Sequence, residues 1–433
     1  MGKRSIAGML AALALATAAC GSDATSTPAS TAAGATPTTQ APAATAAPAE
    51  TTAPSATAAA GDTTVAASAD PIVIGAAVDL TGNMAPFDAP ALAAEKLTIE
   101  RINAEGGVLG RQLELKVIDT KLDEAQTKAA AVDLIKNQGA DVLLTTCDVD
   151  FATPAIQEGL DAGLLTVAPC IGTDQMGPSR FGEKGKLAFS FGNLAQDEGA
   201  VLAEYAIEKG YKTAIVVPDN LLVYFQNVCD SFAKRFEEKG GKVIAKEGFT
   251  SFDQSVNNVP TIITSAGPAD AIALCTFPPD IATAVTGIRS VAPDTPILSP
   301  WSGDGTFWNG GTNLSNFTFS TFASVFGDDP NADVNKLIDG MTKANAAPGT
   351  GGFITGAATI EAIAAAIKAA GSTDGAALAA EFEKFKGLPT ISGKITFSAD
   401  LHTVFGREYR IMTFENGTPK FQKLMAASSP VQL

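Results

Sequence analysis

From Pro71 onward the chain alternates short apolar runs, rich in β-branched residues, with longer segments whose apolar residues recur every three or four positions. That alternation constrains the fold more than any motif does, because parallel strands need long crossovers and a helix is the usual one. PIVIGAAV (71–78) reads as a buried strand. Asp88 to Ala104 reads as a helix with Leu92, Ile99 and Ile102 on one face, stopped by Gly106 and Gly107. Strand 113–119, helix 123–138, strand 141–145, helix 151–162 and strand 164–168 continue the series. A second series begins near Leu187 with helix 195–209 and strand 213–218. It continues with a helix carrying Phe225, Val228, Phe232 and Phe236 on one stripe, strand 242–247, a helix near 253–265, strand 271–276, helix 279–291 and strand 296–299. The pattern predicts two successive α/β lobes, each a doubly wound parallel sheet.

Two Ala-rich helices, 354–370 and 375–387, follow, and the strand-like runs ISGKITF and REYRIMTF come last. That order predicts a chain that returns to the first lobe and finishes in the second. Open parallel sheets place ligands at the carboxyl ends of their strands, so two facing lobes enclose a ligand between them. The stretch from Pro71 to Leu433 is longer than one ordinary core accommodates, and downstream of the first residues no run of about 20 apolar residues occurs, which predicts a soluble folded part.

The N-terminal residues are of another kind. Lys3 and Arg4 precede an apolar run from Ala7 to Ala19, the pattern of a secretory signal. Two readings stand for its exit: cleavage at an Ala-x-Ala site such as Ala16 to Ala18, or a TAAC sequence that resembles a bacterial lipobox and makes Cys20 the lipidated new N-terminus. Residues 1–20 are then a lipoprotein signal peptide. Residues 21–70 are almost wholly Ala, Thr, Ser, Pro and Gly, too poor in apolar side chains to offset ordering entropy. They read as a disordered tether with a root-mean-square span of about 40 Å.

Composition closes off other classes. A formal charge of −16 argues against nucleic acid, which needs clustered positive charge. With Cys20 set apart, four cysteines remain in an exported chain, an even number that favours disulfides. Cys147 and Cys170 each end a predicted strand on the same edge of one sheet, which predicts their pairing, and Cys229 to Cys275 is the second expected pair. There is no CxxC and His402 is the single histidine, so no metal site is expected. GxSxG, GxxxxGK[ST] and GxGxxG are missing from the strand-helix junctions, and the glycines of GTGG (349–352) complete no phosphate fingerprint, so no enzyme is expected.

Six stretches carry a family resemblance: VDLTGNMAPFD, ERINAEGGVLGRQLELKVIDTKLD, DNLLVYF, GGKVIAKEGFTSFDQS, SAGPADAIAL and GLPTISGKITF. In this order they resemble the Leu/Ile/Val-binding family of periplasmic binding proteins, the type I solute-binding fold of ABC importers. The resemblance implies two lobes joined by three crossings, near 190, 320 and 388, with lobe 1 formed by 71–190 and 321–388 and lobe 2 by 191–320 and 389–433. It implies capture of a small polar ligand such as an amino acid, delivery to an ABC permease, no cofactor, a monomer, and an extracytoplasmic location with lipid attachment to the outer face of the cell membrane. The alternative is a ligand-sensing module that signals through a separate membrane protein.

The resemblance also nominates cleft residues: the aromatics Phe87, Tyr224 and Phe277, the acidic Asp304 with Gly305, the helix start Asp148, Val149 and Asp150, and Gly172 with Thr173. Phe87 and Phe277 read equally as core aromatics. CDVDFATP departs from the family by offering two carboxylates where amino-acid binders place hydroxyls. Asp150 reads either as a helix N-cap or as a cleft carboxylate that repels a ligand carboxylate.

Overall fold

The computed structural model describes residues 70–431 and 433. The expected signal peptide, Cys20 lipidation and tether lie outside the described residues.

The first βα series builds one sheet. Its strands are β1 (Ile72–Val78), β2 (Leu113–Asp119), β3 (Val142–Thr145), β4 (Leu165–Ala168) and β5 (Ala188–Asn193), connected by α1 (Ala85–Ala104), α2 (Glu124–Lys136), α3 (Val149–Asp161) and a short α4 (Pro178–Phe181). β1 pairs in parallel with β2 on one side and β3 on the other, placing Ile74 beside Leu115 and Val142. β1, β3 and β4 read as near-continuous apolar runs because helices cover both faces, whereas β2, at the sheet edge, interleaves Glu114 and Lys116 with apolar residues. α1 begins at Ala85, three residues before the expected start, with Pro86 in its first turn. Asp88 instead lies inside the helix, where its carboxylate accepts from the Asp79 amide at 2.8 Å and the Cys147 amide at 2.9 Å, tying the ends of β1 and β3.

The second series opens with α5 (Ala195–Glu208) and runs through β6 (Thr213–Pro218), α6 (Val223–Glu238), β7 (Lys242–Lys246), α7 (Val259–Ala266), β8 (Ala271–Cys275), α8 (Asp280–Val291), β9 (Ile297–Ser299) and β10 (Phe317–Thr321). All four stripe residues of α6, Phe225, Val228, Phe232 and Phe236, are buried. Then come α9 (Ala332–Lys343), α10 (Phe353–Ala370), α11 (Gly375–Phe382), β11 (Lys386–Thr390), β12 (Gly393–Thr396), β13 (Thr403–Val404), β14 (Tyr409–Glu415) and β15 (Thr418–Met425). The first sheet has the order β13-β5-β4-β3-β1-β2 and the second β15-β14-β10-β9-β8-β6-β7, with β14 and β15 antiparallel in a parallel-dominated sheet. These are the two lobes. α10 is long and apolar enough to cross a membrane, but most of it is buried against the first lobe, so it is a core helix.

The chain passes between the sheets three times: after β5, after β10, and between β13 and β14. The last passage lies near 405–408 rather than near 388. β11 and β12 pair with each other, and Phe397 packs 5.2 Å from Phe189 and 6.0 Å from Phe382 between ring centroids, so residues 389–404 belong with the first lobe. The expected helix to 387 ends at Phe382, and Gly387, inside the expected span, takes φ +84° within β11. Buried Arg407 gathers the passages. Its guanidinium donates to Asn193 Oδ1, to the Phe191 carbonyl at 2.6 Å and to Ser392 Oγ at 2.6 Å, and sits 6.0 Å from the centre of the Phe322 ring.

Candidate ligand-binding site

The carboxyl ends of both parallel sheets face one cavity, lined by residues of both lobes. The first lobe contributes Met84 and Phe87 from the start of α1, Asp148 at the start of α3, and Ile171, Gly172 and Thr173 after β4. The second lobe contributes Leu222, Tyr224 and Phe225 at the head of α6, Phe277 after β8, and Trp301 and Ser302 after β9. The walls meet through one aromatic edge, Phe87 and Trp301, 4.9 Å apart at 67°, and within the second lobe Phe225 lies 5.4 Å from Tyr224 and 5.5 Å from Phe277. Gly172 permits the approach, since a Cβ there would lie 2.8 Å from the Asn193 carbonyl oxygen and 3.0 Å from the Tyr224 ring.

A disulfide forms part of the first lobe's wall. Cys147 and Cys170 are joined with Cα atoms 4.8 Å apart, and both line the cavity. Cys229 in α6 is joined to Cys275 at the end of β8, with Cα atoms 6.1 Å apart.

Asp148, not Asp150, is the N-cap of α3. Its Oδ1 accepts from the amides of Asp150 at 2.9 Å and Phe151 at 3.2 Å, satisfying two of the helix's orphan donors. Burial, and then the Asp150 carboxylate, push its carboxyl up to about 7. Asp150 turns away from the cavity and works across the cleft. Its Oδ1 meets Arg180 at 2.7 Å and its Oδ2 accepts from the Val223 amide, at the first turn of α6, at 3.0 Å. The residue before α6, Leu222, supplies no side-chain cap of its own. Asn227 of α6 adds a second cross-cleft tie, donating to Thr173 Oγ1 at 3.1 Å and Asp174 Oδ1 at 3.2 Å. The lobes are closed on each other.

The nominated residues therefore separate. Phe87, Asp148, Gly172, Thr173, Tyr224 and Phe277 come together in the cavity wall. Val149 is buried in the packing of α3. Asp304 and Gly305 sit behind the wall: Asp304 is fully buried, accepting from the Thr321 hydroxyl at 2.7 Å and from the amides of Gly351 at 2.6 Å and Gly305 at 2.7 Å. Burial raises its carboxyl to about 6 against those three donors. It fastens the β9 loop to the end of β10 and to the turn entering α10, and Gly305 takes φ +82° beside it.

Sequence reasoning did not reach Glu198, in the first turn of α5. Its fully buried carboxylate accepts from the Tyr224 hydroxyl at 2.6 Å, the Trp301 amide at 2.7 Å and the Ser320 hydroxyl at 2.7 Å. Burial pushes it up to about 7 despite these donors. It holds two wall residues and a passage strand at once. Its only sequence signal was an acid in a helical first turn, which commonly answers the helix dipole. Among the described residues no group of three or more His, Cys, Asp or Glu side chains is arranged to hold a metal ion.

Residues 71–419 match the family described as "Periplasmic binding protein". The leucine-, isoleucine-, valine-, threonine- and alanine-binding protein of Pseudomonas aeruginosa is 26% identical over 310 residues, covering 71% of this chain and 80% of that protein. Among solved structures, the branched-chain amino acid transporter substrate binding protein of Streptococcus pneumoniae in complex with isoleucine superposes with a TM-score of 0.70 at 21% identity, covering 82% of this chain and 99% of that one. A leucine binding protein from Thermotoga maritima gives 0.71 at 20% identity, over 82% and 98%.

Proposed function

Because the chain belongs to the periplasmic binding protein family, we propose that it captures a small ligand between its two lobes outside the cytoplasm and delivers it to an ABC importer. The observation that carries this reading is the cavity itself, walled by matching strand ends of both lobes and shut by Asp150, Asn227 and the Phe87–Trp301 pair. Phe87, Asp148, Gly172, Thr173, Tyr224 and Phe277 contact the ligand in this reading, Asp150 closes the cleft, and Asp304 holds the wall from behind. The lobes turn about the passages after β5, after β10 and near Arg407.

Protein purified without denaturation is expected to carry a small molecule detectable by native mass spectrometry. Unfolding and refolding should strip it and enlarge the radius of gyration in X-ray scattering. Restoring the same molecule at about a hundred times its Kd should reverse the enlargement and stabilise the chain by about 2.7 kcal/mol. A refolded chain that scatters identically with and without the co-purifying molecule, or a native protein that carries none and closes on no small molecule offered to it, overturns the reading.

We further propose that Cys20 is the attachment point to the membrane, supported by the TAAC sequence and the low-complexity stretch behind it. Two acyl chains anchor stably where one binds marginally. Labelled palmitate is expected in the wild-type chain and not in Cys20→Ala, which should appear in the medium; equal membrane retention of both rules the anchor out.

A further inference from the structure

The charge of the cavity wall says what it accepts. Its lining contains no Lys, Arg or His, and its single ionisable acid or base other than the Tyr224 phenol is Asp148. Among the described residues both hydrogen bonds to Asp148 fall on Oδ1 and none on Oδ2. The amides of Asp150 and Phe151, at the start of α3, are taken by that same Oδ1. The nearby guanidinium, Arg180, is taken by Asp150 and by Gln175 Oε1 at 3.0 Å. Five aromatic rings, Phe87, Tyr224, Phe225, Phe277 and Trp301, line the same cavity as this carboxylate. Ring faces attract cations through their quadrupole, most strongly where water is excluded. A buried carboxylate with an open lone pair rewards a charge-assisted donor and repels a second carboxylate.

Resting on the binding-protein reading above, we propose that the ligand is a compact organic cation, a substituted ammonium without a carboxylate, held between the Asp148 carboxylate and the aromatic wall. The rings enclose its alkyl groups and Asp148 Oδ2 faces its charge. A free amino acid brings the same ammonium but adds a carboxylate for which the lining offers no cation, so this cavity separates amines from amino acids.

The test is calorimetric titration and tryptophan fluorescence on the full chain, stripped by unfolding and refolding, with four probes: choline, tetramethylammonium, the uncharged choline isostere 3,3-dimethylbutan-1-ol, and L-leucine. At least one of the two cations is expected to bind at least about tenfold more tightly than the alcohol, and leucine no more tightly than the alcohol. Trp301 should report the binding. Asp148→Asn keeps the helix cap, since Asn caps as well as Asp, so the fold survives and the preference of cation over alcohol should shrink by about tenfold. Leucine binding more tightly than either cation, equal affinity for choline and its isostere, an Asp148→Asn protein with unchanged preference, or silence with both cations would each overturn the proposal. If leucine binds and closes the lobes, the solute-binding reading stands and only the ligand class falls. If the native protein carries no molecule and none of the probes alters scattering, both fall.

Discussion

Raising the pH from about 6 to about 8 is expected to lower the thermal unfolding midpoint by at least about 5 °C. Burial pushes Asp88 and Glu95 up to about 8, with Asp88 itself adding to Glu95, and it pushes Asp148 and Glu198 to about 7. In the unfolded chain these groups lose their protons near 4. Between that value and their folded values the native state holds protons the unfolded state has released, so stability falls as pH rises through the window. The slope reaches about 1.4 kcal/mol per pH unit for each group fully protonated in one state and ionised in the other. Asp88 lies two turns before Glu95 in α1 and its charge raises Glu95, so the two count as one coupled unit. His402, pushed down by burial, works in the opposite sense below its ordinary range and bounds the gain on the acid side. Glu95→Gln, which fixes one member of the pair in a neutral form, should flatten the dependence while leaving the acidic plateau in place. A midpoint that stays level or climbs between those pH values would contradict the assignment of buried protons to these carboxyls.

Glu198→Ala is expected to cost about 3 kcal/mol or more of unfolding free energy in urea, because it strands the Tyr224 hydroxyl, the Trp301 amide and the Ser320 hydroxyl in a dry interior at about 1–3 kcal/mol each. Glu198→Gln retains one carbonyl acceptor and should lose about half as much. The ordering matters as much as the size: alanine worse than glutamine identifies the lost acceptor as the cause, since both variants remove the charge. A loss below about 1 kcal/mol for alanine would mean that water replaces the carboxylate and that the wall of the cavity does not depend on it.

Much of the βα framework could be read along the chain because each element carried a single dominant signal. α6 had four large apolar residues on one stripe, and β1, β6 and β8 were apolar runs bounded by turn residues. The elements that escaped lacked such a signal. β10, FTFST, is fully buried yet interleaves Phe with hydroxyl residues, because Thr318 meets Thr413, Ser320 meets Glu198 and Thr321 meets Asp304 rather than water. β15 interleaves lysines at a sheet edge, the usual protection against unwanted pairing, and so reads as a surface segment. α9 buries only Val334 and Met341. The third passage was placed too early because ISGKITF looks like any terminal strand, and only its contacts with Phe189 and Phe382 assign it to the first lobe.

The site was legible through residue resemblance rather than through pattern, and its one large displacement is instructive. Asp304, flanked by glycines and tryptophans, has the look of an open ligand loop. Its donors are Thr321 and Gly351, 17 and 47 residues away, and no local spacing announces that they converge on it. Asp148 and Asp150 likewise exchange expected roles because the capping geometry depends on where α3 begins, at Val149 rather than Phe151.

The first turn of α6 has no cap in its own sequence and borrows Asp150 from the opposite lobe. An N-cap is worth about 1 kcal/mol, so separating the lobes uncovers a helix end and adds about that much to the free energy of opening. One carboxylate thereby sets a compromise between grip and hand-over. A stronger hold on Val223 keeps the lobes shut longer and slows the escape of whatever they enclose, and a weaker one does the reverse.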